Sequence, residues 1–392
     1  MNLFKNIPKE IWAIGIVTLL MNMSGVIIFF LSPFYLRSLG IDYDKLGMIE
    51  GIIECTSWIM RFLSGFLTDF FQKRKPALYI AYIISAIARP FLMFLPSATI
   101  LMYSRIIDRI GNGIQASPRE ALIGDLSPQK LKGACFGLRQ SLGVIGSFLG
   151  ASIVWLIMKK TNGNYQLAFT ISSIPPILAI IVLYFFVSDK TPKTINKNIN
   201  IKNLFKELKK DIFLLKKTYW IVVLISSIFM MSNFSGMFLT FKATDTGLSE
   251  ADAAIVMIIQ NIMTILSSYP MGYWSDTIDR RIPLSIGISL VIISNIILAT
   301  SITSTEVLLG VAIWGFQMGI TSSLIATKIT DTTSPKIRGT GFGLYYIIVG
   351  FALFITNTLS GWIAKNISIE MVFWVSAIYA SIALILLPLI KK

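Results

Sequence analysis

The chain contains no histidine at all. Imidazole is thereby removed as metal ligand, general base and proton relay, and proton handling falls to carboxylates. Cysteine is nearly as scarce: Cys55 and Cys135 lie in or beside apolar runs, so no disulfide framework or thiolate metal site is expected. Charge is thin as well. Only 14% of the 392 residues are charged against 54% hydrophobic, which does not fit a water-soluble surface. No Walker sequence follows a predicted strand, so nucleotide-driven work by this chain alone is not expected. These gaps leave a soluble enzyme poorly equipped, and neither cofactor nor metal is expected.

Long apolar runs fill the chain instead, with a mean hydropathy of +0.72. A spanning helix needs roughly 20 mainly apolar residues. Segments near 11–36, 46–70, 77–95, 98–121, 134–158, 165–187, 219–241, 252–274, 283–301, 305–327, 339–364 and 369–390 meet that measure. Helices follow because open sheet edges do not survive in lipid and no barrel alternation is present. The prediction is an all-α membrane protein with twelve transmembrane helices. Residues 1–10 run straight into the first apolar stretch without a small-residue cleavage pattern, so they are expected to persist as part of a first span.

Basic residues give the orientation. Nine lysines lie between Lys190 and Lys217, and others cluster at Lys73–Lys75, Arg280–Arg281 and Lys391–Lys392. The opposite connections carry only Arg37, Lys45, Lys159, Lys160, Lys242 and Lys365. Both termini are therefore predicted to be cytoplasmic. A formal charge of +15 spread over short loops in this way argues for a lipid bilayer and against nucleic acid as partner. The polar stretch 188–218 reads as a linker between halves 1–187 and 219–392. Ile201, Leu204, Phe205, Leu208, Ile212 and Leu215 recur in it at helical spacing, which suggests an amphipathic helix on the inner surface; a solvated basic tether is the alternative.

The halves share an internal repeat. Gly65, Asp69, Lys73 and Arg74 recur as Gly272, Asp276, Arg280 and Arg281 at an offset of 207 residues. The run from Asp125 through Pro128 to Gly137 recurs from Asp331 through Pro335 to Gly343. With this pattern the chain resembles the major facilitator superfamily, in a little-characterised bacterial branch. That family's signature after the second helix is G-x-x-x-D-[RK]-x-G-[RK]-[RK]. Phe70 and Thr277 replace its first basic residue, and Gln72 and Asp279 its second glycine. The resemblance implies two pseudo-symmetric six-helix bundles, a mid-membrane solute site, alternating access and residence in the bacterial inner membrane. A carboxylate at the inner surface can hold the positive end of a facing helix. Asp69 and Asp276 are thus expected to latch the helices that begin at Gly339 and Gly133. With Gly65, Lys73, Arg74, Asp125, Gly272, Arg280, Arg281 and Asp331 they form the expected gating set; topology-setting loop charges are the alternative.

Ionisable residues within the spans carry the functional signal. A charge at the bilayer centre costs about 3 kcal/mol on insertion scales, so such a residue is expected to face a cavity or a partner. Glu50, Glu54, Ser57, Arg61, Ser64 and Thr68 step along one helical face, and Arg105, Asp108, Arg109, Asn112, Gln115 and Arg119 along another. The two stripes are expected to meet across an interface. Glu54, about 22 Å above the inner boundary by helical rise, is the first candidate proton carrier, followed by Glu50 and Asp108. A static Glu–Arg network is the alternative. The arginines, joined by Arg89, can pair with an anionic solute or be consumed internally. The second half offers Asn233, Gln260, Asn261, Gln317 and Asn357 as a neutral binding wall, or simply as helix–helix hydrogen bonds.

The expected function is secondary transport of a small organic solute coupled to protons or sodium by a monomer. A multidrug or metabolite exporter and a transport-inactive sensor on the same fold are the alternatives; a channel is disfavoured because no filter loop is recognisable. An export motif of the family, G-x(8)-G-x(3)-G-P, is matched by Gly137, Gly146 and Gly150, but Ala151 stands where its proline would be.

Overall fold

The computed structural model describes residues 7–71, 74–91, 97–128, 131–187, 212–333 and 337–390. Among these residues every regular element is a helix. In chain order they are α1 (Lys9–Ser38), α2 (Tyr43–Phe71), α3 (Arg74–Ala88), α4 (Ala98–Leu126), α5 (Lys132–Lys160), α6 (Tyr165–Ser172) and α7 (Ile174–Phe186). There follow α8 (Lys217–Met231), α9 (Met237–Asp245), α10 (Ala254–Thr277), α11 (Arg281–Thr300), α12 (Ser304–Thr332), α13 (Arg338–Asn366) and α14 (Ile369–Leu386). Six helical stretches among the described residues are long and apolar enough to cross a membrane, with three shorter apolar helices beside them. The polar stripes lie on α2 and α4, each 29 residues long. The linker helix expected within 188–218 falls largely on residues outside the described ones.

Three helix boundaries differ from the sequence expectation, each for a local reason. Proline at position 90 cannot donate to the preceding turn and disfavours helical geometry in its neighbour, so α3 stops at Ala88; residues 92–95 of the expected segment fall outside the described ones. The segment 165–187 bends at Ser173, where Pro175 and Pro176 start α7 at the positions a helix tolerates best. The segment 219–241 is broken outright: Ser232-Asn233-Phe234-Ser235-Gly236, a run of turn formers, separates α8 from α9. Polar backbone exposed by that break is met by side chains. Ser376 Oγ donates to the Ser232 carbonyl at 2.6 Å, and the Ser235 amide donates to Asn357 Oδ1 at 2.7 Å.

The helices gather into two compact units, residues 1–39 with 56–199 and residues 40–55 with 200–392, so that α2 contributes its first turns to one and its remainder to the other. In the first unit α1 lies along α5. Gly146 and Gly150 face the carbonyls of Leu19 and Met23, leaving no room for a Cβ. The export-type glycine spacing thus serves close backbone packing at these two positions. Ile11, Ile14, Tyr82, Leu122 and Leu183 are sealed beside this seam in a common core. In the second unit α12 packs on α10 and α11, and Asn295 of α11 donates to Ser376 of α14 at 2.9 Å. The first turns of α2 lie against α13, where Gly47 meets Gly361 backbone to backbone.

Candidate functional site

α3 ends at Ala88, and Arg89, in the turn with Pro90 that follows, reaches toward α4. Its Nε and Nη2 both donate to Asp108 Oδ1, at 3.0 and 2.7 Å. Ser104 Oγ closes the end of α3 by donating to the Ala88 carbonyl at 2.7 Å, and Ser85 Oγ donates to the Asp108 carbonyl at 3.3 Å. Gly111, one turn on, faces the Ala81 carbonyl, so α3 and α4 approach closely enough for this pair to form. The guanidinium is 3% exposed and the carboxylate 10%, which makes this a buried ion pair rather than a surface one.

The pair lies on the wall of an open cavity of about 290 Å³ whose lining residues all belong to the first unit. Asn22, Gly25 and Phe29 of α1, Asp108, Arg109, Asn112 and Gln115 of α4, and Ser147 of α5 complete its polar and aromatic lining. Gln115 Nε2 donates to Asn112 Oδ1 at 3.0 Å, and Arg119 continues the stripe to Gln115 Oε1 at 3.4 Å. Beyond it Glu120 receives both Arg119 and Arg139 at 3.2 Å.

The predicted residues divide accordingly. Asp108, Arg109, Asn112 and Gln115 are brought together; Arg89 joins them, and the sequence had marked it only as an additional charge. The two stripes adjoin where Gly113 of α4 faces the Ser57 carbonyl of α2, while the Asp108 carboxylate is taken by Arg89 after α3. Arg105 places its guanidinium over the ring of Phe29 at 5.9 Å, and Arg61 over Trp58 of its own helix at 4.7 Å. Glu50 and Glu54 sit on the part of α2 that belongs to the second unit. There Glu50 is 1% exposed and accepts a bond from Ser235 Oγ at 3.3 Å, next to the helix break held by Asn357. Glu54 is half-buried and has no hydrogen bond or ion pair among the described residues.

The amides of the second unit are less convergent than a binding wall would require. Asn233 and Asn261 donate to carbonyls one turn back in the chain, Phe229 at 3.1 Å and Met257 at 2.8 Å. Gln317 is fully buried; its Oε1 accepts from Thr321 at 3.2 Å while Nε2 has no partner among the described residues. Ser235 and Ser232, absent from the sequence-based set, do the structural work around Glu50 and Asn357; their signal was the run of turn formers.

Of the gating set, Lys73 lies outside the described residues, as do the side chains of Asp69, Arg74, Asp276 and Asp331. Gly65 and Gly272 are helical, in α2 and α10. Asp125 is exposed near the end of α4, and Arg280 is half-buried just before α11. Arg281 is engaged: its Nε donates to Asp279 Oδ2 at 2.9 Å, its amide to Oδ1 at 3.0 Å, and Nη1 reaches the Ile390 carbonyl at 3.4 Å. The side-chain and backbone bonds from Arg281 hold the Asp279 carboxyl down at about 2. A carboxyl depressed on folding stabilises above its unfolded value, near 3.9, and loses that contribution as pH falls toward its folded value. The stability difference between wild type and Asp279→Asn, followed by thermal unfolding, is therefore expected to be constant above about pH 5 and to vanish between about pH 4 and 2. A difference unchanged down to pH 2 would show that the carboxylate charge contributes nothing.

Comparison with known proteins gives a consistent picture. The family model for the Major Facilitator Superfamily matches residues 13–243 and 221–392. An MFS-type transporter of Methanocaldococcus jannaschii is 29% identical over 98% of this chain and 95% of its own length. The quinolone resistance protein NorA of Staphylococcus aureus is 24% identical over 92% of this chain and 90% of its own. Among solved structures, a POT family transporter in complex with 5-aminolevulinic acid superposes with a TM-score of 0.82 at 14% identity, covering 100% of both chains. A D-xylose-proton symporter superposes with a TM-score of 0.77 at 15% identity, covering 97% of this chain and 96% of its own. At such identities the structural likenesses speak to fold alone.

Proposed function

Since this chain belongs to the Major Facilitator Superfamily, a family of membrane transporters, we propose that it moves a small organic solute by proton-coupled alternating access. Its fold is the all-helical major facilitator fold. In this reading the chain crosses the membrane twelve times, residues 1–187 and 219–392 act as the two halves, 188–218 is the cytoplasmic linker, and both termini face the cytoplasm. The sequence repeat and the crowding of lysine and arginine into alternate connections support that topology.

The observation that carries the solute assignment is the polar cavity built inside an apolar bundle. Burying Arg89 and Asp108 and partly burying Arg109 is costly, and a chain keeps such groups where they meet a solute or an ion. Glu54 is assigned as the proton carrier. It has no counter-charge among the described residues, so protonation removes the expense of holding it in lipid, and water reaching it on one face or the other lets the proton leave. Sodium is the alternative coupling ion. For a test, a solute found by ligand-induced thermal stabilisation is labelled and followed in proteoliposomes. Glu54→Gln is expected to abolish accumulation under a pH gradient while leaving counterflow exchange intact. Undiminished accumulation would remove Glu54 from the coupling.

The similarity to the quinolone resistance protein favours a second reading, proton-driven export. Inverted and right-side-out vesicles separate it from import: an exporter concentrates solute only where the gradient and the cytoplasmic face are oriented for efflux.

A further inference from the structure

The charges on the cavity wall do not cancel. Among the described residues its lining holds two guanidinium groups, Arg89 and Arg109, and one carboxylate, Asp108. Arg89 spends Nε and Nη2 on Asp108, while its Nη1 is buried without a hydrogen-bond partner. Arg109 has no ion pair or hydrogen bond among the described residues, although it sits beside that pair on the same wall. Asp108 balances Arg89, so the charge of Arg109 is left uncompensated on the wall among the described residues. The lining thus asks for one negative charge with acceptor oxygens.

Space for that group is supplied by α1. Gly25 faces Arg89, and a Cβ built on it would come only to 4.0 Å of Nη2, so the absent side chain leaves the volume above the guanidinium open. Asn22 and Ser147 both donate to the Gly143 carbonyl, at 3.0 and 3.3 Å, and so fix the wall opposite α4. The cavity volume lies at the small end of ligand sites.

We propose that this cavity is a binding site for small monocarboxylates, whose carboxylate is held by the Arg109 guanidinium beside the Arg89–Asp108 pair. The planar fork of arginine matches a carboxylate's two oxygens, and a single surplus charge selects a monoanion over a dianion. Asn112 and Gln115 then face the remainder of the solute. That the bound monocarboxylate is also the transported solute rests on the transport reading above; binding itself does not.

The test uses the full-length purified protein, titrated with propionate, 2-hydroxypropionate, propionamide and succinate at an ionic strength fixed with sodium chloride, and reads the rise in Tm. Both monocarboxylates are expected to stabilise it dose-dependently, and propionamide is not. Arg109→Gln is expected to weaken propionate binding by about tenfold or more, since a charge-assisted pair is removed. Gly25→Val fills the cavity beside Arg89 without removing a charge and is expected to weaken it similarly, which keeps the test meaningful should the arginine variant fold poorly. Equal responses to propionate and propionamide, an equal response to succinate, no response to either monocarboxylate, or unchanged affinity in both variants overturns the proposal. Carboxylate binding without counterflow would sink the transport reading and spare the site; counterflow of an uncharged solute without carboxylate binding would do the reverse.

Discussion

Replacing Arg89 by leucine is expected to destabilise the purified protein by about 3–5 kcal/mol, because it strands the buried Asp108 carboxylate without its counter-charge. Asp108→Leu is expected to cost a similar amount, leaving Arg89 with two further unsatisfied nitrogens beside the one it already carries. The double variant discriminates between causes. When both charges go together, the desolvation expense goes with them, and replacement of a buried ion pair by apolar side chains of similar volume is often neutral. The double variant should therefore recover most of the loss, giving a large coupling energy in a double-mutant cycle of thermal or denaturant unfolding. Single losses near 1 kcal/mol that simply add would mean that water reaches both groups, as in exposed pairs. The close approach of α3 to α4 at Gly111 is independent of this pair and gives the double variant a scaffold on which to refold.

That pair also marks the boundary of what the sequence could disclose. Periodicity within one helix is a local property, so the α4 stripe of Asp108, Arg109, Asn112 and Gln115 was legible and converges in the structure on one cavity. Pairing between helices is not local. The α2 stripe was expected to meet the α4 stripe because both are polar, and Gly113 of α4 does lie against Ser57 and Met60 of α2; the partners Asp108 and Glu50 take were not legible, Arg89 after α3 for one and Ser235 at a helix break for the other. Apolar run length marked the segment 219–241 as one span because Ser232 to Gly236 lowers its hydropathy only briefly, yet serine, asparagine and glycine there favour a turn once Asn357 and Ser376 satisfy the freed backbone. Amides such as Asn233 and Asn261 read identically to Asn357 in sequence. Whether an amide bonds back to its own helix or across to another depends on which helix lies opposite, and that is decided by small residues.

Gly47 and Gly361 are the sharpest instance of such small residues, and Gly47→Leu or Gly361→Leu is expected to cost about 3 kcal/mol, the upper end for overpacking. A Cβ on Gly47 would fall on the Asn357 carbonyl oxygen and within 2.7 Å of Gly361 Cα; one on Gly361 would come within 2.8 Å of Gly47 Cα. Both obstacles are backbone, which no rotamer change can relieve, so α2 and α13 must separate. In lipid no hydrophobic drive compensates, since helix association depends on this close packing. Separation would also disturb the ion pairs from Lys365 to Asp42 and Asp44, at 2.9 and 3.1 Å, and draw Asn357 away from the Ser235 amide beside Glu50. Exchange activity is thus expected to fall along with Tm. Gly124→Ala is the matched control: nothing lies within 4 Å of its Cβ position, and alanine favours a helix by about 1 kcal/mol, so Tm should hold or rise. If Gly47→Leu and Gly124→Ala behaved alike, tight α2–α13 packing would not be what holds this end of α2, and the broken helix around Ser235 would need another support.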